Sequence, residues 1–263
     1  MRSTPDLFPR FAGVIRQLST QQAENPQAFA ELRIGDIELG ERTIDMVYAP
    51  FDYVNASARI AVVGLTPGRQ QAANALRAAQ AALIEGADDW QAAQRAKVFA
   101  SFSGPMRTNL VAMLDKIGIA RWLGIPTTAS LWSGDSNLIH FTSALRYPVF
   151  VDGENWSGAP DMLRVPGMRN WLETYTGTEL TLMDDAVFVP LGPKVSAALN
   201  HLADSGRIRR DRILDGMPHP SGANAERIAY FLGNKASGDL SPKTNPASID
   251  AARASLLGRV AAL

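Results

Sequence analysis

The sequence predicts an α/β protein, a three-layer α/β/α sandwich around a short, central, mainly parallel sheet. Two patterns lead there. Short apolar runs ending in glycine recur along the chain, and amphipathic helical patterns fall between them. Size agrees: 263 residues, 46% hydrophobic and 20% charged, are enough for one well-buried core. The expected organisation is a single domain over 1–263, with an N-terminal helical extension (1–55), a core (58–235) and a C-terminal helix (247–263).

Residues 8–20 and 21–33 read as weak helices outside the core. "ARIAVVGL" (58–65) has the form of a buried parallel strand, apolar on both faces and closed by glycine. The Ala/Gln-rich "QQAANALRAAQAALIEG" that follows reads as a helix stopped by Gly86. In "TNLVAMLDKIGI", Leu110, Met113, Leu114 and Ile117 fall at i, i+3, i+4, i+7 and define one helix face. "NLIHFTSAL" (137–145) and "DAVFVPLG" (185–192) read as strands. The second runs into the helix "PKVSAALNHLA", with Pro193 in its first turn. "DRILDGMPHPS" predicts a short strand and a loop, and "NAERIAYFLG" and "SIDAARASLLGRVAAL" predict the last two helices.

Composition removes whole classes of chemistry. The chain has no cysteine, which excludes disulfides, thiolate nucleophiles, Cys-bound zinc and iron–sulfur clusters. With three histidines, His140, His201 and His219, a His-rich metal site would need all of them to converge, so no metal is expected. The 26 basic and 26 acidic residues cancel, which counts against nucleic-acid binding by bulk attraction. A local basic patch is still available in "GRIRRDR", where Arg207, Arg209, Arg210 and Arg212 surround Asp211; a solvated surface turn explains the same run. No apolar run reaches the length of a membrane span, and "MRSTPDLFPRF" has no signal-peptide core, so a cytoplasmic, monomeric protein is expected.

Two short motifs follow predicted strands: Gly64-Leu65-Thr66-Pro67-Gly68 and His219-Pro220-Ser221. In a parallel α/β sheet, ligands sit beyond the carboxyl ends of the strands, so the predicted fold would put both on one rim. In order and content the chain resembles the uracil-DNA glycosylase superfamily. The first motif is similar to its G-x-x-P-G and the second to its H-P-S. "FSGPMRTNLVAMLDKIGI", "HFTSALRYPVF" and "VFVPLGPKVSAAL" resemble the family's intervening blocks, so the likeness covers about residues 58–235.

The resemblance implies an enzyme that hydrolyses the bond between deoxyribose and a base flipped out of DNA, leaving an abasic site and using no cofactor. By that resemblance His219 is the donor to the departing base oxygen. Phe102 is the aromatic under the flipped base, and Ser143, Leu65 and Gly68 face the base. Gly64, Pro67, Ser221 and Asn224 would meet the DNA backbone, joined by Arg207, Arg209 and Arg210 from the basic run. The residues alone also allow a helix-capping His219 and a core Phe102.

Two departures from the family pattern matter, at Thr66 and Ser143, and a third feature, at Gly68, distinguishes the chain from the uracil-specific members. Thr66 stands where Asp or Asn is frequent; its hydroxyl can orient water but cannot act as a base at neutral pH, which commonly costs about 10²–10⁴ in rate. Some branches of the family tolerate a non-acidic residue here; the alternative is a replacement carboxylate, for which Asp152, Glu154 and Asp215, near predicted strand ends, are the candidates. Ser143 stands where an Asn reads uracil. Gly68 stands where uracil-specific members carry a Tyr that blocks groups at the base C5. A small reader and an open C5 direction together point to a bulky or C5-modified pyrimidine, such as the (glucosyl-)hydroxymethylcytosine of phage DNA, and hence to a phage-defence role. The Gly/Pro-punctuated "DGENWSGAPDMLRVPGMRNW" (152–171), with Trp156 and Trp171, would wall such a pocket or simply pack the surface. The competing expectations are a uracil or mismatch glycosylase of base-excision repair, and an inert DNA-binding relative.

Overall fold

The structure, a computed structural model, describes residues 7–100 and 104–263. Their helices and strands, in chain order, begin with α1 (Phe8–Gln17), α2 (Thr20–Glu24), β1 (Arg33–Leu39), β2 (Arg42–Val47) and β3 (Ile60–Gly64). There follow α3 (Arg69–Ile84), α4 (Asp89–Ala100), α5 (Gly104–Lys116), α6 (Ile119–Leu123), β4 (Ile139–Ser143), β5 (Val149–Val151) and β6 (Glu154–Asn155). The chain closes with α7 (Pro166–Trp171), α8 (Thr178–Leu180), β7 (Val187–Pro190), α9 (Pro193–Asp204), α10 (Ala225–Leu232) and α11 (Pro246–Ala261). The protein is mixed α/β, with a three-stranded parallel sheet ordered β4-β3-β7 and a four-stranded antiparallel sheet ordered β1-β2-β5-β6. Among the described residues no helix is long and apolar enough to cross a membrane.

By backbone proximity the chain divides into two compact units, and the division falls inside β3 and inside β4. The first unit comprises Met1–Val54, Gly64–Ser101 and Phe141–Leu182. It differs from the expected helical extension in two ways. Helix α1 lies in its core: Phe8, Phe11, Ala12 and Ile15, one face of a 3.6-residue period, are buried, and Phe11 stacks on Tyr48 at 4.1 Å between ring centres. Residues 33–47 form the hairpin β1–β2, in which Leu39 pairs with Arg42 across a two-residue turn. Gly40 makes that turn possible, because its φ of +63° lies in the left-handed region. Strand β5 extends the sheet against β2. In α3 and α4 the inward faces are largely alanine (Ala72, Ala75, Ala79; Ala92, Ala96), so burial is achieved with small side chains at close helix approach.

The second unit comprises Asn55–Val63, Phe102–His140 and Met183–Leu263. Ile60, Ala61, Val62 and Val63 are all fully buried, and β3 pairs in parallel with β7 in register Ile60–Val187 to Val63–Pro190. The strand expected after residue 211 shrinks to one bridge, Ile213 to Phe188, because Gly216 (φ +103°) and Pro218 turn the chain away. The predicted face of α5 is buried at all four positions, Leu110, Met113, Leu114 and Ile117. Gly192 (φ +100°) turns β7 into α9, whose first residue is Pro193.

Candidate functional site

In the first unit the Gly64–Gly68 turn and the Ser143 segment lie side by side. The Ala144 N–H donates to the Gly64 carbonyl at 2.8 Å and the Leu145 N–H to the Leu65 carbonyl at 3.0 Å. The Thr176 hydroxyl, on the π-helical segment Leu172–Gly177 that joins α7 to α8, donates to both the Ser143 and the Ala144 carbonyl oxygens, each at 2.9 Å. Ser143 is half-buried, and its own hydroxyl has no partner among the described residues. Leu65, Thr66 and Gly68 are half-buried and Pro67 is buried.

Thr66 has a structural task here. Its hydroxyl donates to the Tyr147 carbonyl at 3.1 Å and accepts the Val149 N–H at 3.2 Å. That commits its single proton and one lone pair to the backbone, leaving one lone pair for a water. The other candidates for activating water are held by arginines. Asp152 accepts from Thr43 N and Arg42 Nε, which hold its carboxyl below the usual range, while Glu154 lies 3.7 Å from Arg69 and Asp215 lies 3.6 Å from Arg259.

The β5–β6 hairpin reaches the same turn. Asn155 Oδ1 accepts the Arg69 N–H at 2.9 Å, capping α3 from outside, and Arg69 in return donates to the Gly153 carbonyl at 2.8 Å. The Gln71 side chain accepts the Gly68 N–H at 3.1 Å. A Cβ placed on Gly68 would meet the Asn155 amide at 3.9 Å, so the direction that Gly68 opens is bordered by a polar group. Trp156 takes the packing role: it is buried, and its indole N–H donates to the Pro160 carbonyl. Trp171 lies against β1 at Gly35.

Behind the Ser143 segment the first unit buries four charged groups. Glu179 sits 3.0 Å from Lys97 and 3.4 Å from Arg146, and it accepts from Thr142 at 3.1 Å. Lys97 also donates to the Phe51 and Tyr53 carbonyls, and Arg146 to the Phe51 and Asp52 carbonyls. The Asp52 carboxylate accepts from the Tyr48 and Tyr147 hydroxyls, each at 2.7 Å, and from Leu7 N. Burial pushes Lys97 down to about 8, against the pull of Glu179. Burial also opposes the Arg146 charge, but Glu179, Tyr147 and Asp52 outweigh it and hold the guanidinium firmly protonated. This cluster ties α4, the 51–53 segment, β4 and α8 together around the backbone that carries Ser143.

In the second unit His219 Nδ1 accepts the Ser221 N–H at 3.2 Å. A nitrogen that accepts carries no proton, so the neutral ring holds its proton on Nε2. Burial lowers the His219 pKa below the ordinary value and favours this neutral form. The left-handed Gly192 approaches the ring edge next to Nε2; a Cβ there would lie 3.8 Å from His219 Cδ2. Asn109 donates to the Pro220 carbonyl, and Asn224 donates to Ser221 Oγ while accepting from Arg227. Ser221 and Asn224 are thus bonded to each other. The basic run is largely neutralised: Arg209 pairs with Asp211, and Arg210 with Asp204 and Asn200. Arg207 has no side-chain partner among the described residues.

Gly64, Leu65, Thr66, Pro67, Gly68 and Ser143 therefore share the first unit, and His219, Ser221, Asn224, Arg207, Arg209 and Arg210 the second. Phe102 lies outside the described residues. Among the described residues no group of three or more His, Asp or Glu side chains has metal-binding geometry. Sequence reasoning missed Asn155, whose cap on α3 bridges 86 positions, and the Lys97–Glu179–Arg146 cluster. Nothing local marks either, although "RYP" after Ser143 placed an arginine beside a predicted buried strand.

The chain is 32% identical over 198 residues to the uncharacterized protein YoxB of Bacillus subtilis (strain 168), covering 74% of this chain and 77% of YoxB. No protein-family model and no solved structure matches it.

Proposed function

This chain belongs to the family of YoxB, and we propose that it is a DNA glycosylase of the uracil-DNA glycosylase type, built on that superfamily's α/β/α sandwich. Its substrate is a C5-modified pyrimidine, flipped from DNA and removed to leave an abasic site. The observation that carries the reading is His219: a half-buried, neutral imidazole with its proton directed to Nε2 by the Ser221 N–H.

In the proposed reaction the C1′–N bond breaks with its electron pair moving to the base. His219 Nε2–H donates to the base oxygen that gains the charge, and a neutral donor does this without surrendering its proton. Water adds its hydroxyl to C1′, and its proton neutralises the departing base. Ser143 offers one hydroxyl to the base edge, where a larger amide would fill the space. Thr66 holds the turn to the 147–149 backbone rather than serving as a base, so a slow turnover is expected.

The test is alkali cleavage of two duplexes after incubation, one with uracil opposite guanine and one with glucosylated hydroxymethylcytosine. Breaks only in the second support the reading. Breaks only in the first make the protein a repair enzyme. A His219→Ala protein should still bind DNA and lose at least 10²-fold in rate, the usual worth of one such donor. Breaks in neither would favour an inert DNA-binding relative, a reading that the paired Arg209 and Arg210 do not help.

A further inference from the structure

We propose that Asn155 is a specificity-determining residue of this site, whose Nδ2 donates a hydrogen bond to an oxygen atom on the C5 substituent of the base. The inference rests on the glycosylase reading, in which position 68 faces C5. Three observations within the first unit lead to it. Asn155 is exposed on β6, yet its Oδ1 is held by the Arg69 N–H at 2.9 Å, which fixes the amide's orientation. Its Nδ2 carries two protons and has no partner among the described residues. Nδ2 and Oδ1 both lie 3.9 Å from where a Gly68 side chain would begin.

The hairpin is anchored for such a task at three points. Thr66 grips its first strand through Tyr147 and Val149, Arg69 grips its turn through Gly153, and Arg42 grips Asp152. An exposed donor fixed by its own acceptor side is preorganised, so it loses little entropy on meeting a ligand. The chemistry selects an oxygen-bearing substituent, such as a formyl, hydroxymethyl or glycosyl oxygen, over a methyl group. A methyl in that place would strip water from Nδ2 and return nothing.

Asn155→Asp separates reading from folding. The carboxylate keeps the acceptor for the Arg69 N–H at a helix start, where a negative charge is favourable, and removes both donor protons. The experiment measures single-turnover excision of 5-formylcytosine and 5-methylcytosine from otherwise identical duplexes, by wild type and variant, with a uracil duplex alongside. The formyl oxygen only accepts, so it cannot bond to the new carboxylate. The expected result is a formyl-to-methyl rate ratio at least tenfold lower in the variant, with an unchanged melting temperature; tenfold corresponds to about 1.4 kcal/mol. A ratio unchanged within twofold, or a variant that slows on both bases equally, overturns the role of Asn155 and leaves the glycosylase reading intact. Wild-type activity confined to uracil overturns it too. Wild type inactive on all three duplexes removes the glycosylase reading itself and this inference with it.

Discussion

Replacing Glu179 by Gln should cost more stability than any surface change in the protein, and the loss should depend on pH. Glu179 is fully buried and faces two buried cations, Lys97 at 3.0 Å and Arg146 at 3.4 Å. Removing one partner of a buried ion pair typically costs about 3–5 kcal/mol, because the charge left behind has been desolvated without compensation. Lys97 has an escape that Arg146 lacks. Burial already holds its pKa down to about 8, and losing Glu179 removes the attraction that keeps it from falling further, so in the variant it releases its proton more readily. The sign follows from linkage. Where native Lys97 is neutral and the unfolded lysine is charged, the unfolded state binds more protons, so stability rises with pH. Wild-type Lys97 begins to lose its charge only near pH 8, so the deficit of the variant should shrink as the pH rises from 6 to 8, by at most about 1.4 kcal/mol for each pH unit that separates the two Lys97 titrations. Urea unfolding followed by circular dichroism at pH 6, 7 and 8 measures both quantities. Adding Lys97→Met to the variant should recover part of the loss at pH 6 and little at pH 8. A loss under about 1 kcal/mol at pH 6, or one that does not change with pH, would refute the account of the cluster.

Thr66→Val should destabilise by about 1–3 kcal/mol, because the Tyr147 carbonyl and Val149 N–H lose their partner, whereas Thr66→Ser should be nearly neutral in urea titration. Valine that left stability unchanged but removed activity would mean that the hydroxyl serves water instead. Gly192→Ala should cost about 1–2 kcal/mol from its φ of +100°, and the added methyl beside Cδ2 should move the His219 ring signals in a proton NMR spectrum. Nitrogen-15 shifts of His219 should report the Nε2–H tautomer with a midpoint below 6.5. Protons then bind the unfolded chain more readily than the folded one below about pH 6.5, so this group's contribution fades as the solution is acidified. A midpoint above 6.5 would contradict the neutral donor.

Much of the fold is legible because its signals are local. The four-residue face of α5, the apolar 60–63 run, Pro193 at the start of α9 and Gly86 after α3 each follow from sterics and burial within a few residues. The β1–β2 hairpin carried such a signal in Leu39-Gly40-Glu41-Arg42, but Gly35 and the charged residues of β1 blur its alternation. The short strand near 213 failed for the opposite reason: its apolar residues are buried, but the turn at Gly216 leaves room for a single bridge.

Of the candidate site, the sequence by itself determined which groups exist: a histidine between two prolines, a glycine at position 68 with no side chain, and at position 66 a threonine hydroxyl rather than a carboxylate. Those are facts of chemistry at a position, set by residue type alone. Only the tertiary structure decided what each group is free to do. It commits the Thr66 proton to a carbonyl 81 positions away, spends Arg209 and Arg210 on nearby acidic groups, aims the His219 proton at Nε2, and brings Asn155 across 86 positions to the Gly68 turn. The reason is physical. Hydrogen-bonding capacity belongs to the residue, but whether it is spent or available depends on neighbours that long-range folding supplies.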